Sequence, residues 1–154
     1  MEMRHKLRDI TQNDLKVLNE KLGFEVSPSY SNFLLTNNNG GQPIENTFRK
    51  FDENNKLLNE VGVNVFLGID ENLTCDLYHN SIILSDRIPS DLLPIAHDGI
   101  GNVICIGTGK DNFEKIFIWY DNERDLDESP SYRDVEFLSD SFNEFINGLG
   151  QEDI

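Results

Sequence analysis

The chain has 154 residues, a length that suits one domain and lets folding hide about 68–70% of the unfolded surface, enough for a core without staples. Its 28 acids against 13 bases leave a formal charge of −15. That excludes a general nucleic-acid binder, which needs a basic footprint on the phosphates, and sets an anionic membrane surface against it; with 38% hydrophobic residues and ten Phe, it is also too apolar for a disordered acidic tail.

In chain order, Thr11 caps a first helix, and Asp14 is a favourable charge in its first turn. Leu15, Leu18 and Leu22 follow at helical spacing, and Gly23 is placed to end it. Ser27-Pro28 repeats that grammar, with Tyr30, Phe33 and Leu34 as the buried stripe of a second helix that stops within Asn37 to Gly41. Thr47 to Phe51 reads as a strand and Glu53 to Asn59 as a loop or turn. Val61 to Ile69 is β-branched and apolar, the composition of a strand. Asn72 to Asn80 fits a short helix with Leu73, Leu77 and Tyr78 inward. Leu92–Ala96 and Val103–Ile106 flank an Asp-Gly turn and predict a hairpin. Lys115 to Tyr120 is the next strand, and Asp121 to Ser131 an acidic loop. Ser139 then caps a last helix carrying Phe142, Phe145, Ile146 and Leu149 on one face. The sum is a single α+β domain over residues 1–154: a central, largely antiparallel sheet with helices packed at the N- and C-terminal ends.

Charge is unevenly placed. Residues 1–77 hold 12 acids and 8 bases, whereas residues 78–154 hold 16 acids and 5 bases. Nine of those acids lie between Asp121 and Glu144. This asymmetry reads either as a solvated face or as a patch for a basic or neutral partner; the candidate contacts are Asp121, Glu123, Asp125, Asp127, Glu128, Asp134 and Glu136. The charged start, Met1 to Arg8, precedes no apolar run, and no window approaches the ~18 apolar residues of a membrane span. The expected compartment is therefore the cytoplasm, with Cys75 and Cys105 as reduced thiols.

Four constellations carry possible chemistry. His97-Asp98 has the residue types of a general base and its carboxylate. Neighbours along a strand point to opposite faces, however, so adjacency is weak evidence of contact. Asp98, Gly99, Gly101 and Asn102 read better as a tight turn, in which Asp bonds its own backbone and Gly accepts positive φ. As a calcium loop the same stretch fails, because the alternation of oxygen ligands breaks and the twelfth residue is Gly109 rather than Glu. Gly107-Thr108-Gly109-Lys110 is followed by Asp111, which breaks the phosphate-loop pattern. The two cysteines and three histidines lack zinc-site spacing, so no metal and no cofactor is expected.

Three blocks in this order resemble the SUKH superfamily (Smi/Knr-type domains). The first runs Lys21-Leu22-Gly23-Phe24, then Ser27-Pro28-Ser29-Tyr30, Phe33-Leu34-Leu35 and Asn39-Gly40-Gly41. The second is Leu93-Pro94-Ile95-Ala96, the Asp98–Asn102 turn, Cys105-Ile106 and Ile116–Asp121; the third is Leu138–Phe145. The recognisable core is about residues 11–149. The resemblance implies an α+β fold and, for bacterial members, an immunity protein that binds a cognate toxin domain, often a nuclease. Fungal relatives instead imply a cell-wall-assembly regulator working through protein contacts. Neither role implies catalysis, so Gly40, Gly41, Asp98, Gly99, Gly101 and Asn102 are expected as turns and fold anchors. With the charge, the resemblance leads to an expected protein partner, a basic toxin domain met by the acidic patch.

Overall fold

The computed structural model describes residues 1–36, 40–122 and 129–151. In chain order it places β1 (Met3–Lys6), α1 (Gln12–Leu22), α2 (Pro28–Thr36), β2 (Gly41–Pro43), β3 (Thr47–Phe51), β4 (Leu57–Gly62), β5 (Val65–Phe66), α3 (Leu77–Ile83), β6 (Leu92–His97), β7 (Val103–Gly107), β8 (Ile116–Trp119), β9 (Val135–Ser139), α4 (Phe142–Asn147) and β10 (Leu149–Gly150). Seven strands form the main sheet in the order β1-β2-β5-β6-β7-β8-β9, and β10-β3-β4 form a second. Every named pair is antiparallel. The fold is α+β, with α1 and α2 towards the N-terminus and α4 towards the C-terminus.

Local chemistry explains the first helix. Thr11 Oγ1 accepts from the Asp14 amide at 3.2 Å, and the Asp14 carboxylate accepts from the Thr11 amide at 2.8 Å. This reciprocal box satisfies two otherwise orphaned donors and holds the Asp14 carboxyl below its usual range, the Thr11 backbone bond being the main cause. Gly23 closes α1 through its amide on the Asn19 carbonyl.

Other boundaries differ from the sequence expectation. Ser27 does not cap α2: its Oγ is buried without a partner among the described residues. The Ser29 amide instead finds Glu114 Oε1 at 3.1 Å, from a residue 85 positions away. Ser141, not Ser139, caps α4, its Oγ accepting from the Glu144 amide at 3.1 Å. Ser139 stays extended because β9 pairs with β8 through it. Leu149 leaves the helix and pairs with Phe48 in the second sheet. Val61 to Ile69 is not one strand but a crossing between sheets. Val61 and Gly62 pair with Phe48 and Thr47, whereas Val65 and Phe66 pair with His97 and Ala96. The loop or turn expected over Glu53 to Asn59 is a turn, in which Asp52 Oδ1 accepts from the Asn54 and Lys56 amides, but it ends sooner, because β4 begins at Leu57. Asn72 to Asn80 splits into a 3-10 turn at Leu73–Cys75 and α3, capped by Asp76; Leu77 is buried, but Leu73 is exposed.

Both faces of the main sheet are covered. Ile104, Ile106, Ile116 and Ile118 join the large core with Leu15, Leu18, Tyr30, Phe33, Leu34, Phe142 and Phe145 from the helices. Alternate residues of the same strands, Val103, Cys105 and Trp119, form a smaller cluster with Ile88 and Leu92. Continuous apolar runs in β7 and β8 are the sequence image of strands buried on both sides.

Candidate interaction surface

The β6–β7 hairpin turn is built by Asp98. Its Oδ1 accepts from the Ile100 and Asn102 amides at 2.9 and 3.1 Å, and its Oδ2 from Asn102 Nδ2 at 2.8 Å. Gly99 and Gly101, at φ 87° and 105°, take the left-handed conformations that the turn requires. Both Asp98 oxygens are thus engaged within the turn.

Asn102 carries this turn to the acidic segment. Its Oδ1 accepts from the Asp121 amide at 3.1 Å, immediately after β8. The Asp121 carboxylate is 43% exposed and lies 3.5 Å from Arg87 Nη1. Next to it, Asn122 Nδ2 donates to Asp134 at 2.9 Å. The Asp134 side chain is 9% exposed and 3.7 Å from Arg133, so it serves as an internal tie between the ends of the acidic segment. Glu136, exposed on β9, accepts from the Tyr120 hydroxyl at 2.9 Å. Burial raises the Tyr120 pKa first, followed by the Glu136 bond and charge, with the Asp98 charge adding to them.

Four carboxylates from three stretches of chain, Asp98, Asp121, Asp134 and Glu136, therefore gather around Asn102 and Tyr120 at one end of the sheet. Glu123, Asp125, Asp127 and Glu128 lie outside the described residues. The ties through Asn102, Tyr120, Asn122 and Arg87 have no sequence signal, because their partners are set by strand register. At the opposite part of the sheet, Gly40 and Gly41 bring β2 against its neighbours. A Cβ on Gly41 would sit 2.3 Å from the His5 carbonyl oxygen of β1. Among the described residues, no group of three or more His, Cys, Asp or Glu is arranged to hold a metal ion. No helix among them is long and apolar enough to cross a membrane.

The model of the SMI1 / KNR4 family (SUKH-1) matches residues 9–148. The chain belongs to this family. Among curated proteins, none matches it. The SUKH-1 match runs from just before α1 to just after α4, and so includes the whole carboxylate cluster and the Asp98 turn. Strands β1 and β10 fall outside it.

Proposed function

We propose that this SUKH-1 protein is an immunity protein that binds and neutralises a cognate bacterial toxin domain, a basic nuclease, through an acidic surface. Family membership carries the reading. The charge of −15 and the clustering of Asp98, Asp121 and Glu136 support it. A nuclease exposes cations to hold phosphates, and a carboxylate-rich partner is steered onto that surface and masks it. The protein acts by occlusion in the cytoplasm, without catalysis and without a cofactor.

Steering makes the test specific. Steered association reaches about 10⁸–10⁹ M⁻¹s⁻¹ at low salt, against about 10⁵–10⁶ for neutral encounters. Co-expression with a cognate toxin domain should rescue growth, and the association rate should fall steeply as salt rises. Asp125→Lys combined with Asp127→Lys should slow association about tenfold or more and weaken rescue, with the thermal midpoint unchanged. A salt-insensitive on-rate removes the electrostatic mechanism. Absence of rescue removes the immunity reading and favours a cell-wall-assembly regulator of the Smi/Knr type.

A further inference from the structure

The main sheet is narrowest at β5. One residue pair joins β2 to β5, Gly41 with Phe66, and two join β5 to β6, Val65 with His97 and Phe66 with Ala96. By contrast, β6 and β7 share five. Two flanking bonds reinforce the join: the Asn64 amide donates to the His97 carbonyl and the Leu67 amide to the Ile95 carbonyl, each at 2.8 Å. Local opening has few bonds to break here, so this join is the natural place for a hinge.

His97 closes the join at its outer end. Its ring is half-buried, and Nε2 is enclosed without a hydrogen-bond partner among the described residues. A neutral imidazole can leave one nitrogen as a bare lone pair. An imidazolium cannot, because both nitrogens then carry protons, and an enclosed charged donor without an acceptor is costly.

The surroundings do little to hold that charge. Beside the ring lies a cleft of about 350 Å³ that no Asp, Glu, Lys or Arg lines. The other titratable groups in its wall are His5 of β1 and Cys75 of the 3-10 turn; β2 contributes Gly41 and Gln42, and the β5 side Asn64 and Val65. A protonated His5 would add a like charge. Across β7, His97 pairs with the apolar Val103. The carboxylate that acts on the ring is Asp98, next in the chain, and both its oxygens are already taken within its own turn. Burial accordingly holds the His97 pKa below its ordinary value, with the Asp98 charge opposing it.

We propose that His97 is an acid-operated latch: a proton on its ring unlocks the β5–β6 join and leaves the rest of the sheet in place. The open state carries an ordinary histidine and the closed state one that resists protonation, so opening takes up a proton. The latch is closed above the ordinary pKa of about 6.5 and loosens as pH falls below it, by at most about tenfold per pH unit. It operates whether or not the partner is a toxin.

Amide hydrogen exchange on the full chain, each rate corrected for its intrinsic pH dependence, reads the join directly. Between pH 7.5 and pH 5.5, protection of the Asn64 and Leu67 amides should fall about five- to tenfold relative to that of Ile104 and Ile118 in β7 and β8. His97→Gln should flatten this fall, and His5→Gln should leave it in place. The proposal is overturned by equal changes at all four amides, by a fall that survives in His97→Gln, or by one that vanishes in His5→Gln, which would assign the latch to β1. Should His97→Gln fail to fold, titration of the His97 ring carbon-bound protons in the wild type decides: a midpoint below 6.5 is expected, and one at or above it overturns the proposal.

Discussion

The two faces of the main sheet are buried by different means. On one, two helices lay aromatic rings onto the strands: Tyr30 and Phe33 of α2, Phe142 of α4 and Phe66 of β5 meet with centroids 4.9 to 6.2 Å apart, mostly edge to face. On the other, no α-helix contributes a buried residue to the cluster of Ile88, Leu92, Val103, Cys105 and Trp119, and its cover comes from the chain leading from α3 into β6. The first face is a closed jigsaw of rings. The second is thinly covered, and its rim holds Phe117, Tyr132 and Phe137, the last two exposed. Stability is thus concentrated on the helical face, which leaves the rim and ends of the sheet available for contacts.

Paired truncations test that division. Phe142→Ala empties the centre of the ring cluster, where neighbours from α2 and β5 cannot all collapse, and should cost about 3–5 kcal/mol. Leu92→Ala, under the thinner cover, should cost about 2 kcal/mol, the low end of its class, because an irregular segment relaxes into the space. Urea unfolding of both variants measures the difference. Equal costs would mean that the second face is as rigid as the first.

A smaller effect probes the same helical face through one atom. The Tyr30 hydroxyl lies between the carbonyls of Leu67 and Ile95, the latter at 2.9 Å, in a fully buried site. It joins α2 to the backbone just after β5 and within β6. Tyr30→Phe keeps the ring packing and takes the hydroxyl from the Leu67 carbonyl, while the Ile95 carbonyl keeps the Leu67 amide at 2.8 Å, so a loss of about 1–3 kcal/mol is expected from the unfolding midpoint. A neutral result would show that the ring alone holds α2.

What could be read from the sequence follows the range of the interaction. Thr11 and Asp14 are three residues apart, and Gly23 acts on its own helix, so α1 was legible to within a residue. The Asp98 turn and its hairpin were legible for the same reason. Strands β1 and β2 were missed: Arg4, His5 and Lys6 have no apolar alternation, and β2 is a three-residue strand whose place depends on Gly41 approaching His5. Strand β9 was missed because Glu136 and Phe137 take their places from pairing with Ile118 and Phe117. The misplaced cap was avoidable, since Ser141 with Glu144 has capping-box spacing and Ser139 does not. At the candidate surface, the individual acids were visible but their convergence was not. The link from Asn102 to Asp121 spans 19 residues, and that from Tyr120 to Glu136 spans 16.

The smallest effect belongs to the rim of the second face. The Tyr132 hydroxyl donates to Asp91 Oδ1 and accepts from Asn112 Nδ2 at 3.0 Å, while its ring meets Phe117 edge-on at 6.3 Å. Burial, then the Asp91 bond and charge, push its pKa up to about 12. A folded pKa above the unfolded value of about 10 means that the native state holds the proton more tightly. The contribution is therefore complete below pH ~10 and is lost as pH rises towards 12. Subtracting the phenolate absorbance titration of Tyr132→Phe from that of the wild type isolates this group. Its midpoint should lie near 12 and fall in Asp91→Asn, which keeps an acceptor but removes the charge. An unshifted midpoint in Asp91→Asn would assign the whole effect to burial, and the rim of the second face would then be closed by packing, as the helical face is, rather than by its polar network.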